Sequence, residues 1–125
     1  MAENKFGVKV GDIFKSVWGY DDTNTNFFQV VKLCGAESVR VREVCLPIVT
    51  ESRTWGSSSK TCRIVNDALP TTAFSVFIKD QVNGDLKRLK SYRADGSNPQ
   101  FKLSSFADAW LVRGDTVEAY DSWMR

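Results

Sequence analysis

Hydrophobic and polar residues alternate in three consecutive segments near the start of the chain. The segments are Ile13 to Trp18, Asn26 to Leu33 and Ser38 to Val44, and each is rich in β-branched or aromatic residues. Alternation with a period of two is typical of strands. Turn-forming residues fill the gaps, from Gly19 to Asn26 and from Gly35 to Glu37. The pattern predicts a three-stranded antiparallel meander on which the rest of the chain is organised.

The faces of these predicted strands differ in polarity. The first two strands carry apolar residues on both faces, so other parts of the chain must cover each face. The third strand alternates cleanly, with Val39 and Val41 on one side and Arg40 and Arg42 on the other. This alternation predicts that the two arginines point to solvent, about 7 Å apart along the strand.

Further strands are predicted downstream of the meander. Thr61 to Val65 and Phe101 to Ser104 are short candidates, and Ala73 to Lys79 is followed by Leu86 to Arg93. The Asn83-Gly84 pair between the last two is a strong hairpin signal. Leu46 to Thr50 contains Pro47, which predicts an edge, a bulge or an exit from the sheet.

The segment Glu51 to Lys60 is rich in serine and glycine and is predicted to be a loop. Trp55 lies in its middle. Such a residue either plugs the loop against the domain or is exposed for stacking or for contact with a partner.

The end of the chain departs from alternation. Ser104 lies ahead of Phe106, Ala109 and Trp110, which predicts a short capped helix of two turns over Ser104 to Val112. The tail from Val117 to Arg125 fits either a last helical turn or an extended segment over the meander. We expect Trp18, Trp110 and Trp123 to pack together where this tail closes the fold.

These elements together predict a mainly β domain of the α+β class. The architecture expected is a small bent antiparallel sheet or an SH3-like barrel with one short C-terminal helix. At 125 residues the chain is long enough for one core, and we expect residues 1–125 to form a single domain.

Composition limits the class of protein and its chemistry. Hydrophobic residues make up 42% and charged residues 26%, which is ordinary for a soluble globular protein. No apolar run approaches the ~20 residues that span a bilayer, and the polar start, Met1 to Lys5, lacks a signal-peptide core. We therefore expect a location in the cytoplasm and no membrane partner.

The chain contains no histidine and three cysteines, Cys34, Cys45 and Cys62, without Cys-x-x-Cys spacing. This argues against a zinc site and against Ser-His or Cys-His nucleophile pairs. Asp21 and Asp22 are adjacent in a turn, which suits loop formation better than acid–base catalysis. No glycine-rich phosphate loop is present. We predict reduced thiols, no metal, no cofactor and no enzymatic activity.

Positive charge is concentrated in the middle of the chain. The net charge is only +2, but residues 32–102 carry twelve Lys or Arg against seven Asp or Glu. If the strand with Arg40 and Arg42 neighbours the strand with Arg88 and Lys90, these cations form one basic face. Tyr92 or Trp55 would then offer a stacking surface. The alternative is that the charges only keep the strand faces solvated.

One stretch also resembles a known group of proteins. It contains a Gly-Asp-x-Phe segment, a Trp-Gly-Tyr-Asp-x-Thr-Asn segment, and an aromatic pair followed by Gln-Val-Val, carried by Gly11, Asp12, Phe14, Trp18, Gly19, Tyr20, Asp21, Thr23, Asn24, Phe27, Phe28, Gln29, Val30 and Val31. This pattern is similar to that of small, mostly uncharacterised phage and prophage proteins. A second, looser likeness is carried by Ser104, Ser105, Phe106, Ala109, Trp110 and Gly114. The resemblance implies a phage-borne accessory protein and assigns no catalytic residue.

Two functions are consistent with this sequence. The first is a non-enzymatic binding protein of phage or prophage origin that acts on a host component, such as a defence system, by blocking a host protein or by sequestering an anionic nucleotide. The turn with Tyr20, Asp21 and Asn24 and the segment around Trp55 would project toward a protein partner. The second is a small β-barrel that binds single-stranded nucleic acid or a nucleotide through Arg40, Arg42, Arg88, Lys90 and Tyr92. The sequence does not indicate an oligomeric state.

Overall fold

Two antiparallel sheets account for the regular structure of the residues that the computed structural model describes, which are 4–19, 23–71, 77–91, 93–95, 97–104 and 107–122. The strands are β1 (Ile13–Trp18), β2 (Asn24–Leu33), β3 (Ser38–Cys45), β4 (Ile48–Thr54), β5 (Ser57–Arg63), β6 (Leu69–Pro70), β7 (Asp85–Arg88), β8 (Gln100–Ser104), β9 (Ala107–Val112) and β10 (Thr116–Ser122). The larger sheet has the order β6-β3-β2-β1-β9-β8, with β7 also paired to β3, and the smaller sheet has the order β10-β5-β4. The prediction of a mainly β protein is confirmed.

The predicted meander is present as β1, β2 and β3. β1 has the predicted bounds, and β2 and β3 are slightly longer than predicted. Ile13 lies opposite Gln29 in the first pair of strands, and Phe27 lies opposite Val44 in the second. The period-two pattern located these strands because each one is buried in alternation on one face or both.

Both faces of the meander are covered, as its apolar character requires. On the concave face, Phe14 and Phe28 are fully buried and meet Phe101, with ring centroids 4.9 Å and 6.1 Å apart. On the other face, Ile13 and Phe27 pack with residues of the smaller sheet such as Cys62, Val117 and Ala119. The smaller sheet is therefore the cover for the convex side of the larger one.

The larger sheet is a strongly curled half-barrel. Its curl brings the segment after β7 against β8, where Lys90 and Gln100 exchange backbone hydrogen bonds of 2.8 Å and 2.7 Å. This isolated bridge joins the two ends of the sheet. The prediction of a small bent antiparallel sheet is confirmed.

The predicted C-terminal helix is wrong. Residues 107–112 form β9, which pairs with β1 and places Ala109 opposite Ser16, and no helix occurs in the described part of the chain. The edge of β1 needs hydrogen-bond partners, and the small buried side chains of Ala107 and Ala109 let a strand lie there. The tail residues of β10 take the extended alternative and pair with β5.

The predicted loop from Glu51 to Lys60 is also wrong. β4 and β5 form a hairpin whose turn is Trp55-Gly56, with Thr54 paired to Ser57. The sequence pattern did not predict these strands, because every residue of β4 is exposed and its mostly polar side chains show no apolar alternation. β4 begins at Ile48, so Pro47 lies between β3 and β4 at an exit from the larger sheet.

The hairpin predicted around Asn83-Gly84 does not form among the described residues. Residues 77–79 are not in a strand, residues 72–76 lie outside the described part of the chain, and β7 pairs with β3 instead of with the preceding segment. The Asp80 carboxylate accepts hydrogen bonds from the amides of Val82 and Asn83 and holds a local turn. Gly84 has a φ of +84° and passes close to β3.

The expected cluster of tryptophans does not form among the described residues. Trp18 lies on the face of Phe14 and meets the Phe77 ring edge-on at 5.4 Å. Trp110 lies opposite Lys15 and therefore points to the other face of the sheet. Trp123 lies outside the described residues.

We expect Gly84→Ala to lower the free energy of unfolding by about 2 kcal/mol or more. The alanine would be held in a left-handed backbone conformation, and its Cβ would overpack a filled site. A Cβ at this position would lie 2.8 Å from Val31 Cγ2 and 3.1 Å from the Val41 carbonyl oxygen. Gly35→Ala is the matched control, because Gly35 also has a positive φ, +107°, but has open space around it. Urea unfolding measures both variants, and equal losses would contradict the close contact at Gly84.

Candidate functional site

A row of cations crosses the larger sheet on the face opposite the Phe14 core. Lys32 lies opposite Arg40 across β2 and β3, Arg40 lies opposite Leu86 across β3 and β7, and Ser38 lies opposite Arg88. Directly opposed residues of antiparallel strands share a face. We call Lys32, Arg40, Arg42 and Arg88 the basic face. The condition set by the sequence, that the strands with Arg40 and Arg88 are neighbours, is met.

The two arginines of β3 are less free than their alternation predicted. Both are half-buried. Arg40 Nη1 donates a hydrogen bond of 2.9 Å to the Gly84 carbonyl oxygen. Arg42 Nε is enclosed and has no hydrogen-bond partner among the described residues. The two arginines thus lie on the predicted face, opposite the core residues Val39 and Val41, but are only partly exposed.

A cleft of about 560 Å³ adjoins the basic face at Arg88. It lies between the segment before β1 and the segment after β7, and we call it the basic cleft. Its charged lining combines cations and carboxylates: Lys5, Arg88, Lys90, Arg93, Glu37 and Asp95. Its size is that of a pocket for a small organic ligand.

Glu37 bridges two of the cations in the basic cleft. Its Oε1 lies 2.6 Å from Lys5 Nζ, and its Oε2 accepts hydrogen bonds of 3.0 Å and 3.2 Å from Arg88 Nη2 and Nε. The hydrogen bond from Lys5, followed by that from Arg88, lowers the pKa of the Glu37 carboxyl below its ordinary value. Glu37 is thus an ionised carboxylate held where an anionic ligand would meet the same two cations.

Lys90 is held at the cleft by hydrogen bonds of its main chain and not by contacts of its side chain with the described residues. The bridge to Gln100 holds its main chain, its side chain is exposed, and no described residue forms an ion pair or hydrogen bond with its ammonium group. Beside it, Arg93 lies near Asp95, whose pKa is lowered by hydrogen bonds from Ser97 and then by other groups that include Arg93. Lys90 is therefore available to a ligand without the loss of an existing contact.

The remaining predicted site residues lie elsewhere. Trp55 is 82% exposed in the β4–β5 turn of the smaller sheet and does not line the cleft, so the plug interpretation is wrong. Asn24 begins β2, half-buried and opposite Trp18. Tyr20, Asp21 and Tyr92 lie outside the described residues.

Sequence reasoning missed five charged residues of this region, namely Lys5, Lys32, Glu37, Arg93 and Asp95. Lys32 could have been found from the predicted β2–β3 turn, which sets it opposite Arg40. Lys5 carries no local signal in the sequence, because it lies 32 positions before Glu37. A hydrogen bond of 2.8 Å from its amide to the Ala36 carbonyl oxygen brings the two residues together. Long-range pairs of this kind depend on the folded chain.

The described residues contain no group of three or more Cys, Asp or Glu side chains that could hold a metal ion. Cys34, Cys45 and Cys62 are free thiols, and burial raises the pKa of Cys62. Both carboxyls of the basic cleft have lowered pKa values, which makes them weak general bases. No helix long and apolar enough to cross a membrane occurs in the ranges described.

The larger sheet thus carries a basic face and a basic cleft that meet at Arg88. Ammonium and guanidinium groups are the side-chain groups that proteins in general use to bind anions. Comparison of the chain with known protein families, with curated proteins and with solved structures finds no match.

Proposed function

We propose that this chain is a non-enzymatic binding protein of phage or prophage origin that sequesters a phosphate-bearing nucleotide of the host, such as a signal of a defence system. One observation carries the proposal: Lys5, Arg88, Lys90 and Arg93 line a single cleft of about 560 Å³. Guanidinium and ammonium groups that converge on one space are the groups that proteins use to hold phosphate. The protein acts in the cytoplasm of the host cell, where such nucleotides occur.

Glu37 supports an anionic ligand of this kind. Its two carboxylate oxygens already engage Lys5 and Arg88 at hydrogen-bond distance. Phosphate oxygens can take the same two donors in the same geometry. Lys90 and Arg93 then meet the further oxygens of a diphosphate, which a single carboxylate cannot reach.

The phage or prophage origin is supported by the sequence motif between Gly11 and Val31. Within this motif Trp18 Nε1 donates a hydrogen bond of 2.6 Å to Asn26 Oδ1, and the Trp18 ring packs on Phe77. The described residues of the motif thus contribute to the scaffold and do not line the cleft. The finer assignment of this half-barrel to the SH3-like barrels remains a prediction.

A second candidate function is the binding of single-stranded nucleic acid along the basic face. It is favoured by the pairing of β3 with β7, which continues the row of Lys32, Arg40 and Arg42 to Arg88 and the cleft. A row of cations longer than one nucleotide suits a phosphate backbone. Phe6, which is half-buried, is an aromatic residue that lines the cleft at the end of this path.

For the nucleotide proposal, we expect ADP to raise the Tm of the protein by an amount that grows with ligand concentration. Arg88→Ala/Lys90→Ala should weaken ADP binding roughly tenfold or more, because charge-assisted hydrogen bonds are lost. Lys9→Ala/Arg63→Ala is the matched control, since it removes two exposed cations that do not line the cleft. Equal weakening in both double variants would point to diffuse charge attraction and would count against a specific cleft.

The proposal also predicts a pH dependence. Glu37 has a lowered pKa in the free protein, so it competes with anions until the pH falls through that pKa, when its protonation releases Lys5 and Arg88. Binding of sulfate, which stays a dianion over this range, should therefore strengthen as the pH falls below the ordinary value for glutamate. In Glu37→Gln sulfate should bind more tightly at neutral pH and lose this dependence. Isothermal titration calorimetry measures both, and identical profiles for the two proteins would contradict the role of Glu37.

For the second candidate, fluorescence anisotropy with an oligo-dT strand should give an affinity that falls with salt at a log–log slope of roughly −0.7 per phosphate neutralised. Arg40→Ala/Arg42→Ala should weaken this binding and leave ADP binding nearly unchanged, because neither residue lines the cleft. A flat salt response, or no effect of the double substitution, would exclude the basic face as a nucleic-acid track.

A further inference from the structure

Among the described residues, the strand β4 is an edge of the smaller sheet. It pairs with β5 on one side, no described residue pairs with it on the other, and all seven of its residues are exposed. Proteins usually guard such an edge with lysine, proline or a bulge, since its free amides and carbonyls invite another strand. β4 contains neither lysine nor proline, and its register shift with β5 lies near its start, between Ile48 and Thr50. The regular edge from Thr50 to Thr54 is therefore open to pairing.

The sequence of this edge is complementary to itself. Read in opposite directions, Thr50-Glu51-Ser52-Arg53-Thr54 sets threonine against threonine, glutamate against arginine and serine against serine. Opposite charges and paired threonines that face each other across antiparallel strands stabilise a sheet. In the single chain Arg53 Nε already donates a hydrogen bond of 2.9 Å to Glu51 Oε1. A second copy would give each carboxylate a second guanidinium.

Hydrogen bonding allows few registers between two copies of this edge. Amides that point outward alternate along a strand, so two copies can pair only when an outward residue meets an outward residue. A two-fold axis through Glu51 would oppose two glutamates, and an axis through Arg53 would oppose two arginines. The axis through Ser52 opposes Glu51 and Arg53 twice and opposes no like charges.

From this complementarity we propose that the chain forms a homodimer by antiparallel pairing of β4 with β4 of a second copy, centred on Ser52. The two smaller sheets then become one continuous sheet with the order β10-β5-β4-β4-β5-β10. The same register brings the turn at Trp55, which is 82% exposed, toward the start of β4 in the second copy, where Val49 and Ile48 are 49% and 51% exposed. Pairing thus covers apolar side chains that the monomer leaves in water.

Charge reversal tests the register. Glu51→Arg and Arg53→Glu should each weaken the dimer roughly tenfold or more, because each opposes like charges twice. A mixture of these two variants should dimerise again as a heterodimer, as should the double variant Glu51→Arg/Arg53→Glu. Sedimentation equilibrium over a concentration series measures association, and circular dichroism verifies that each variant is folded. A wild-type chain that stays monomeric, or variants that dimerise as well as the wild type, would overturn the proposal.

A disulfide tests the position of the axis. Ser52→Cys should form a cross-linked dimer on mild oxidation, because residues opposed on the axis lie within the Cα separation of roughly 4.4–6.8 Å that a disulfide needs. Thr50→Cys is the matched control, because its copies lie four residues apart, about 13 Å, in this register. Non-reducing electrophoresis measures the cross-link. A dimer that links through position 50 rather than 52, or a monomer that pairs only with a foreign peptide strand, would contradict this interface.

Discussion

The outer edge of β3 is the constraint on which the larger sheet depends. One edge of β3 pairs with β2, and the backbone groups of its other edge must also find partners, because unpaired buried amides are costly. Three different partners share that edge: β6 at Val44 and Cys45, the Gln81 side chain at Glu43, and β7 from Ser38 to Val41. The chain after residue 77 is therefore held beside β3 rather than paired with its own neighbours.

The Gln81 side chain bonds to Glu43 in the way that one residue of a neighbouring strand would. Its Oε1 accepts a hydrogen bond of 2.7 Å from the Glu43 amide, and its Nε2 donates one of 3.0 Å to the Glu43 carbonyl oxygen. Gln81 is buried, so the pairing of Glu43 with it avoids the loss of two hydrogen bonds in a dry environment. This contact and the turn at Gly84 place β7 beside β3, and Arg88 therefore lies near the β3 arginines. The basic face and the basic cleft are consequences of how one strand completes its hydrogen bonds.

Local sequence patterns predicted the elements whose side chains alternate between a core and another environment. Ile13 to Trp18 and Ser38 to Val44 were located in this way, and the nearness of Arg40 to Arg88 followed as a conditional prediction. The patterns failed where hydrogen bonding between backbone strands, and not the spacing of apolar side chains, determines the structure. Ala109 and Trp110 follow Phe106 at helical spacing in the sequence, but they pair with the open edge of β1 as a strand, and the exposed β4 has no apolar alternation to reveal it. The Lys5–Glu37–Arg88 contact was not predictable, since it joins segments that only the curl of the sheet brings together.

The ion pairs of Glu37 bear on which anions the cleft selects. In the free protein the carboxylate offsets the mutual repulsion of Lys5 and Arg88, which keeps two cations close without a ligand. A singly charged anion that enters must displace an equal charge from these donors and gains little. Under the proposed function, a ligand with two or more negative charges replaces the carboxylate and also engages Lys90, whose ammonium has no partner among the described residues. The internal carboxylate would then favour a diphosphate over chloride or a simple carboxylate, which is the selectivity needed to capture a nucleotide amid the small anions of a cell.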